Sequence, residues 1–320
     1  MILFVYAVLV FLVLRFCVTL FNFLSNPKLG YYSKHFSDKV SIIVLASTVK
    51  HDVENLLTSI SEQEYEHTEV FVQRQESISE LVNQTTGKYL LFLSPGTTVH
   101  FGLINNLMYR MKVFNLAVLS LIPTYKASSF MGNCIYPLND FLLLNLLPLR
   151  LVRLSALSAF TAGSNDCIFF DAAIYKQYRW HEKLHPKALE AAEIVKLVKQ
   201  QQLKAEVLLA NKFVYHTVDV KDTASFSMRL LMNFSNSSLA ALMYLMLVVV
   251  GPVVVSFDFN PVLIVLPIGL IFLSRVMIAF LTAQNPLLQV LLHPLQMLLL
   301  FGLLLKEIWE RIAVSIKLKK

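Results

Sequence analysis

Charge is what this sequence has least of. Asp, Glu, Lys and Arg make up 15% of its 320 residues, while 56% are hydrophobic. A soluble domain carries about 25% charged and about 45–50% apolar residues. Such an excess of apolar surface excludes a chain wholly dissolved in water and needs a second solvent. Cysteine is scarce too. Cys17, Cys134 and Cys167 have no paired spacing, which excludes a disulfide framework or a cysteine-built metal site and fits a reduced compartment. No basic stripe with interleaved aromatics occurs, so the formal net charge of +7 does not mark a nucleic-acid binder. Beside long apolar runs it reads as loop topology. Asn-x-Ser/Thr triplets begin at Asn83, Asn233 and Asn236, a pattern too short to imply export.

The apolar residues gather at the two ends. Residues 1–24 are nearly all apolar, broken by Arg15, and a spanning helix needs roughly 20 such residues. No basic stretch precedes the run and no small-x-small pattern follows it, so an anchor is expected rather than a cleaved signal peptide. Lys28, Lys34 and Lys39 follow, which by the positive-inside rule puts the next domain on the cytosolic face. Within 239–305 the expected spans are 239–256, 261–283 with Arg275, and 287–305 with His293-Pro294, parted by turns at 257–260 and 284–286. Three complete spans would carry the basic tail, 306–320, to the opposite side, against the same rule. A re-entrant or interfacial stretch, with Arg275 snorkelling, would remove the conflict; the sequence leaves open which.

Between the ends, residues 39–235 read as alternating strands and helices. Short apolar runs predict strands at 40–46, 69–72, 89–93, 116–122 and 167–170. Helical spacing at 52–62 sets Val53, Leu56, Leu57 and Ile60 on one face, and at 189–199 sets Ala192, Val195 and Val198 inward. The alternation implies an α/β domain with a mainly parallel sheet. Ligands of such sheets bind beyond the carboxyl ends of the strands, here after Ala46, Val72 and Leu93. The stretch 141–160 reads as an interfacial helix pair with Arg150 and Arg153 toward lipid phosphates, or as an amphipathic pair packed on the sheet. His181 and His185 have metal-ligand spacing, but Pro186 pushes His185 out of the helical region, so no metal is expected there.

In order, these segments resemble a known family. Val40-Ser-Ile-Ile-Val-Leu-Ala46, then Asn55-Leu-Leu-Thr-Ser-Ile-Ser-Glu-Gln-Glu-Tyr65, then Glu69-Val-Phe-Val72 resembles the opening of family 2 glycosyltransferases. Gly87-Lys-Tyr-Leu-Leu-Phe-Leu-Ser-Pro-Gly-Thr97 is similar to the segment whose strand ends in Asp-x-Asp. Ala162-Gly-Ser-Asn-Asp-Cys-Ile-Phe-Phe170 resembles the strand beside the acceptor pocket, and Glu190-Ala-Ala-Glu-Ile-Val-Lys196 the helix that begins Glu-Asp-x-Glu-Leu. His293-Pro294 and Trp309 sit where membrane-bound members that glycosylate lipids carry similar residues. The resemblance implies a nucleotide-sugar-transferase (GT-A) domain with N- and C-terminal transmembrane helices. It implies sugar transfer from a nucleotide-sugar to a lipid or lipid-linked acceptor, with a donor site at Ala46, Ser47, Arg74, Ser94 and Gly96.

In that family the Asp-x-Asp pair holds a divalent metal that neutralises the departing diphosphate, and an Asp opening the later helix is the general base. This sequence departs at each place. Ser94-Pro95-Gly96 replaces Asp-x-Asp, Gln73-Arg74-Gln75 replaces an acidic pair, and Ala191 stands at the base position. Only 17 positions (94 − 77) separate Ser77 from Ser94, where the family fits a further strand–helix pair. A divalent metal is therefore not expected. Arg74 can meet phosphate directly or be a surface arginine; Ser94 to Gly96 can be a neutral donor site or a turn. Glu190 and Glu193, one turn apart, are candidate substitute bases or a solvated first turn. Asp166 points into an acceptor pocket or caps the chain. Two functions stand side by side: a transferase with a rewired site, or an inactive pseudo-glycosyltransferase serving as a membrane scaffold or partner of a membrane enzyme. Membrane lipid and a nucleotide-sugar are the expected ligands, and nucleic acid is not.

Overall fold

The computed structural model describes residues 2–47, 49–127, 129–184, 189–218, 223–258 and 261–317. The chain divides into two compact units. The α/β unit comprises Asn26–Lys126 and Leu149–Thr217; the other comprises Met1–Ser25, Ala127–Pro148 and Val218–Lys320. The stretch 141–160 is thus shared out between them.

The α/β unit is built on nine strands: β1 (Val40–Val44), β2 (Thr68–Val72), β3 (Tyr89–Leu93), β4 (Thr97–Val99), β5 (Val118–Ile122), β6 (Thr124–Ala127), β7 (Cys167–Asp171), β8 (Ala205–Leu209) and β9 (Val214–Val218). Six form one sheet in the order β2-β1-β3-β7-β5-β8, and β4-β9-β6 form a second. Strands β1, β3, β5 and β8 are buried at every position, which is why β1, β3 and β5 read as nearly continuous apolar runs. On one face pack Leu56 and Ile60 of helix Lys50–Ser61 and Leu103, Leu107 and Met108 of helix Leu103–Phe114. On the other, Phe92 and Phe170 meet Tyr175, and Phe170 stacks on Trp180. Each such buried side chain contributes about 1.5–3 kcal/mol.

The sheet is mixed. β7 runs antiparallel to both β3 and β5, while β1 is parallel to β2 and β3, and β5 to β8. A fully buried strand has the same apolar pattern in either direction, so periodicity gave no sign of the reversal. The reversal has a consequence for chemistry. β7 begins, rather than ends, at the carboxyl edge of β3, with Cys167 opposite Leu93.

Arg150 and Arg153 correct an expectation. Rather than reaching toward lipid phosphates, both turn to Glu206 on β8, at 3.4 and 2.9 Å, where Arg110 joins them. Glu206 is fully buried, and Phe114 lies between the Arg110 and Arg153 guanidiniums, 4.1 and 3.9 Å from its ring centre.

Among the described residues of the other unit, four helices are long and apolar enough to cross a membrane: Leu3–Ser25, Ser238–Val255, Ile264–Leu281 and Pro286–Ala313. The second passes through a π-helical turn at Met246–Val250. Its Gly251 lies against the first helix, where a Cβ would come within 2.6 Å of Val8. The expected turn at 284–286 is present, with Ala283 at φ +56°; of the turn expected at 257–260, residues 259–260 lie outside the described residues. The last helix continues to Lys317, past the expected end at 305. Before its first turn Gln284 donates to Asp140, while Asn139 accepts from Asn233. Near its other end Arg311 donates to Asn236. This 32-residue helix is thus held near its start by Asp140 and near its other end by Asn236.

Candidate functional site

The carboxyl edge of the large sheet brings together most of the segments singled out for chemistry. Leu45 N–H bonds Leu93 O and Gln73 N–H bonds Val44 O, both at 2.9 Å. Ala46 N–H donates to Gln73 Oε1 at 3.1 Å. Ala46, Ser47 and Arg74 are exposed. After β2 the chain turns tightly around Glu76, whose carboxylate accepts the N–H groups of Arg74 and Gln75 at 3.1 Å each. A capping box between Ser77 and Glu80 then starts helix Ile78–Gln84, which fills the short stretch before β3.

Ser94 to Thr97 form a turn with Pro95 and Gly96 at its centre. Thr97 donates to Ser94 O through both N–H, at 3.3 Å, and Oγ1, at 2.6 Å. Gly96 has φ +80°, the left-handed value that a type II turn demands of its third residue. The Ser94 hydroxyl is spent on Asn165 O at 3.1 Å. The turn leads into β4, and β4 pairs with β9 so that Thr97 faces His216. This pairing delivers an imidazole to the turn. A Cβ on Gly96 would lie 3.3 Å from His216 Nε2 and 3.9 Å from Asp52 Oδ2.

Asp166 immediately precedes β7, beside Ser94, whose N–H bonds Asp166 O at 3.0 Å. Asp166 is 2% exposed, and its carboxylate meets His216, Ser164 and Tyr125. His216 Nδ1 lies 3.0 Å from Oδ1; Ser164 Oγ and Tyr125 Oη donate to Oδ2 at 2.7 and 3.2 Å. Ser164 is pinned in turn by reciprocal bonds with Ser120 of β5. A carboxylate only accepts, so Nδ1 of His216 carries a proton and Nε2 is the nitrogen presented toward Gly96. Protonated there, the imidazole is an oriented donor with a carboxylate behind it.

The other expected residues are placed differently. Ala191, at the family's base position, is 1% exposed. Its N–H is capped by Asn165 Oδ1 at 2.7 Å, and a Cβ on Gly163 would lie 2.7 Å from its Cβ. The position is buried and closely packed against Gly163. Glu190 precedes helix Ala191–Gln200, and Glu193 in its first turn pairs with Lys196 at 3.2 Å. His181 is buried with Nδ1 on Tyr175 Oη at 2.7 Å and Nε2 on Ser79 Oγ at 2.9 Å; burial holds its pKa below the usual histidine value. His185 lies outside the described residues. Sequence reasoning missed His216, Tyr125, Ser164 and Asp52. The one local signal was a lone imidazole inside the apolar strand β9.

No protein-family model matches the chain, and no curated protein matches it. Solved structures do. The mannosyltransferase PcManGT from Pyrobaculum calidifontis, in complex with GDP-Man and Mn2+, is similar over 96% of this chain and 99% of its own, at 11% identity and a TM-score of 0.53. S. aureus TarS 1–349 in complex with UDP-GlcNAc aligns over 75% of this chain and 81% of its own, at 11% identity and a TM-score of 0.39, and adds nothing to the fold assignment. The chain has a glycosyltransferase-like fold. Its residues do not fit a metal such as the Mn2+ of that mannosyltransferase. Ser94-Pro95-Gly96 offers no carboxylate, the Asp166 carboxylate is committed to His216, Ser164 and Tyr125, and no metal-holding group of three or more His, Cys, Asp or Glu occurs among the described residues.

Proposed function

We propose that the chain is a membrane-anchored glycosyltransferase of the family 2, GT-A type, working on the cytosolic face from a nucleotide-sugar donor and without a metal. The observation that carries this reading is His216, oriented by Asp166 and set beside Gly96, where the resemblance places the donor diphosphate. An oxygen of the lipid or lipid-linked acceptor forms a bond to the anomeric carbon, and the bond from that carbon to the diphosphate breaks. The protonated imidazole donates from Nε2 to a phosphate oxygen as charge develops there, a task worth about 10²–10³ in rate when one such donor is removed. Asp166 stabilises the imidazolium, Arg74 and the exposed edge at Ala46 and Ser47 meet the nucleotide, and Glu190 or Glu193 receives the acceptor's proton. The anchor is 1–24 and the α/β domain falls within 39–235. The helices of 239–305 seat it on the bilayer, with the last one in the interface plane, so that the tail 306–320 stays on the side where the first helix ends.

A second reading has its own observation. The sealed Ala191 and the spent Ser94 hydroxyl favour a pseudo-glycosyltransferase that keeps the fold as a scaffold for a membrane enzyme. Calorimetric titration of the detergent-solubilised protein separates the two, using GDP-mannose, UDP-N-acetylglucosamine, GDP and UDP, each with Mn2+ and with EDTA. Binding that persists in EDTA supports the metal-free transferase. Binding only with Mn2+ refutes the metal-free mechanism, and no binding to any of the four leaves the scaffold.

A further inference from the structure

Two arginines lie buried in the apolar unit, and among the described residues neither is hydrogen-bonded to a carboxylate. Arg15 is 8% exposed and Arg275 not at all; His293 beside them is 7% exposed. Arg15 Nε, Arg275 Nε and Nη1, and His293 Nδ1 have no hydrogen-bond partner. Arg275 Nη2 is bonded, but to the neutral side chains of Gln289 and Gln296, both at 2.6 Å. Neither arginine forms an ion pair among the described residues. Asp140 is the buried carboxylate of this region, it accepts from Gln284 at 3.1 Å, and it offsets one positive charge at most. Glu307 is already paired with Arg311. Cationic groups in hydrocarbon are costly and mark a place where a counter-charge or water enters.

The three side chains converge on Phe141, whose ring centre lies 5.3 Å from the Arg15 guanidinium, 5.0 Å from that of Arg275 and 5.3 Å from the His293 ring. Beside them is an open-sided cleft whose polar lining is Arg15, Asn145, Ser274 and His293. The rest of the lining is apolar, running past Val8, Val255 and Ile268. Val8 stands seven residues (15 − 8) before Arg15 on one helix, about 10 Å along its axis. The cleft is therefore amphiphilic along its length, cationic at one end and apolar at the other, and open along one side so that a chain can lie in it.

We propose that this cleft holds one anionic phospholipid, its phosphate against Arg15 and His293 and an acyl chain along Val8, Val255 and Ile268. Charge complementarity selects the occupant. A zwitterionic lipid would bring its own cation to a site that already has too many, whereas a net negative head supplies the missing acceptors. The proposal rests on the membrane reading but not on catalysis.

The test uses the full chain in nanodiscs of phosphatidylcholine, with or without a minor fraction of phosphatidylglycerol. Thermal melting and the lipid retained after detergent exchange are both measured. The wild type is expected to melt higher with phosphatidylglycerol, because a ligand of the folded state stabilises it by mass action, and to retain that lipid preferentially. Arg15→Gln removes one charge-assisted contact and is expected to lower the preference about tenfold. Ile268→Phe, which narrows the apolar end and leaves the charges alone, is expected to lower it as well. Equal melting and equal retention of the two lipids by the wild type overturn the proposal, as does an unchanged preference in both variants. Should Arg15→Gln not fold, the wild-type comparison and Ile268→Phe decide. A chain that stays monodisperse in buffer without detergent would refute the membrane reading instead, a separate outcome.

Discussion

Removing the imidazole is the most direct challenge to the metal-free site. His216→Ala takes away the imidazole presented to Gly96 and opens space without disturbing β4–β9 pairing, which runs through the backbone. If His216 stabilises the departing diphosphate, the loss should be about 10²–10³ in kcat, or roughly 3–4 kcal/mol. Asp166→Asn is a finer perturbation. The amide oxygen can still accept from Nδ1 at the 3.0 Å separation, so the ring stays in place and loses only the charge behind it. A charge-assisted bond is roughly twice as strong as a neutral one; the difference, about 1–1.5 kcal/mol, corresponds to about tenfold in rate. The assay is nucleotide release from the donor found by calorimetry, in EDTA, with the double variant included. The double variant should be no worse than His216→Ala, since Asp166 acts through the imidazole. Full activity in His216→Ala would refute the reasoning, and so would an Asp166→Asn defect larger than that of His216→Ala.

Three further outcomes follow from the packing. Ala191→Asp, which restores the family's base on paper, should destabilise by about 1–3 kcal/mol without raising transfer, because Gly163 closes on that position; thermal melting and the release assay check it. Glu206→Gln strands Arg110, Arg150 and Arg153 around a neutral amide in a buried place, and should cost about 3–5 kcal/mol by denaturant titration. For Glu69, burial alone would raise the carboxyl pKa, but donation from Lys39, Ser41 and Thr86 outweighs it and lowers the value to about 2. The folded state thus holds fewer protons than the unfolded one between about pH 4.5 and 2. Stability from Glu69 is complete above that window and drains away as pH falls through it. With its side chain 20% exposed, about 1–2 kcal/mol after screening is the expected contribution, and Glu69→Gln should flatten the acid limb of a melting curve followed from pH 7 to pH 2.

What the sequence disclosed about the fold was what local pattern can carry. Strands β1, β2, β3, β5 and β7 show as apolar runs, and the helix at Lys50–Ser61 shows by its 3.6-residue spacing. β8 escaped because Glu206, a charged residue fully buried by three arginines, interrupts its pattern; His216 interrupts β9 in the same way, and β4 and β6 are too short to register. Direction escaped altogether, and direction matters most here. Were β7 parallel to β3, Asp166 would lie at the amino edge, away from Ser94. Because it is antiparallel, the residue before it arrives beside the turn that lost its carboxylates. His216 arrives from the far end of the unit through one three-residue pairing with β4. Neither event leaves a mark within a few residues of Ser94-Pro95-Gly96, so the sequence shows only what that place lacks. The geometry shows a carboxylate and an imidazole supplied to it by two other strands, which turns a list of missing residues into a site with a donor, an orienting anion and an open glycine between them.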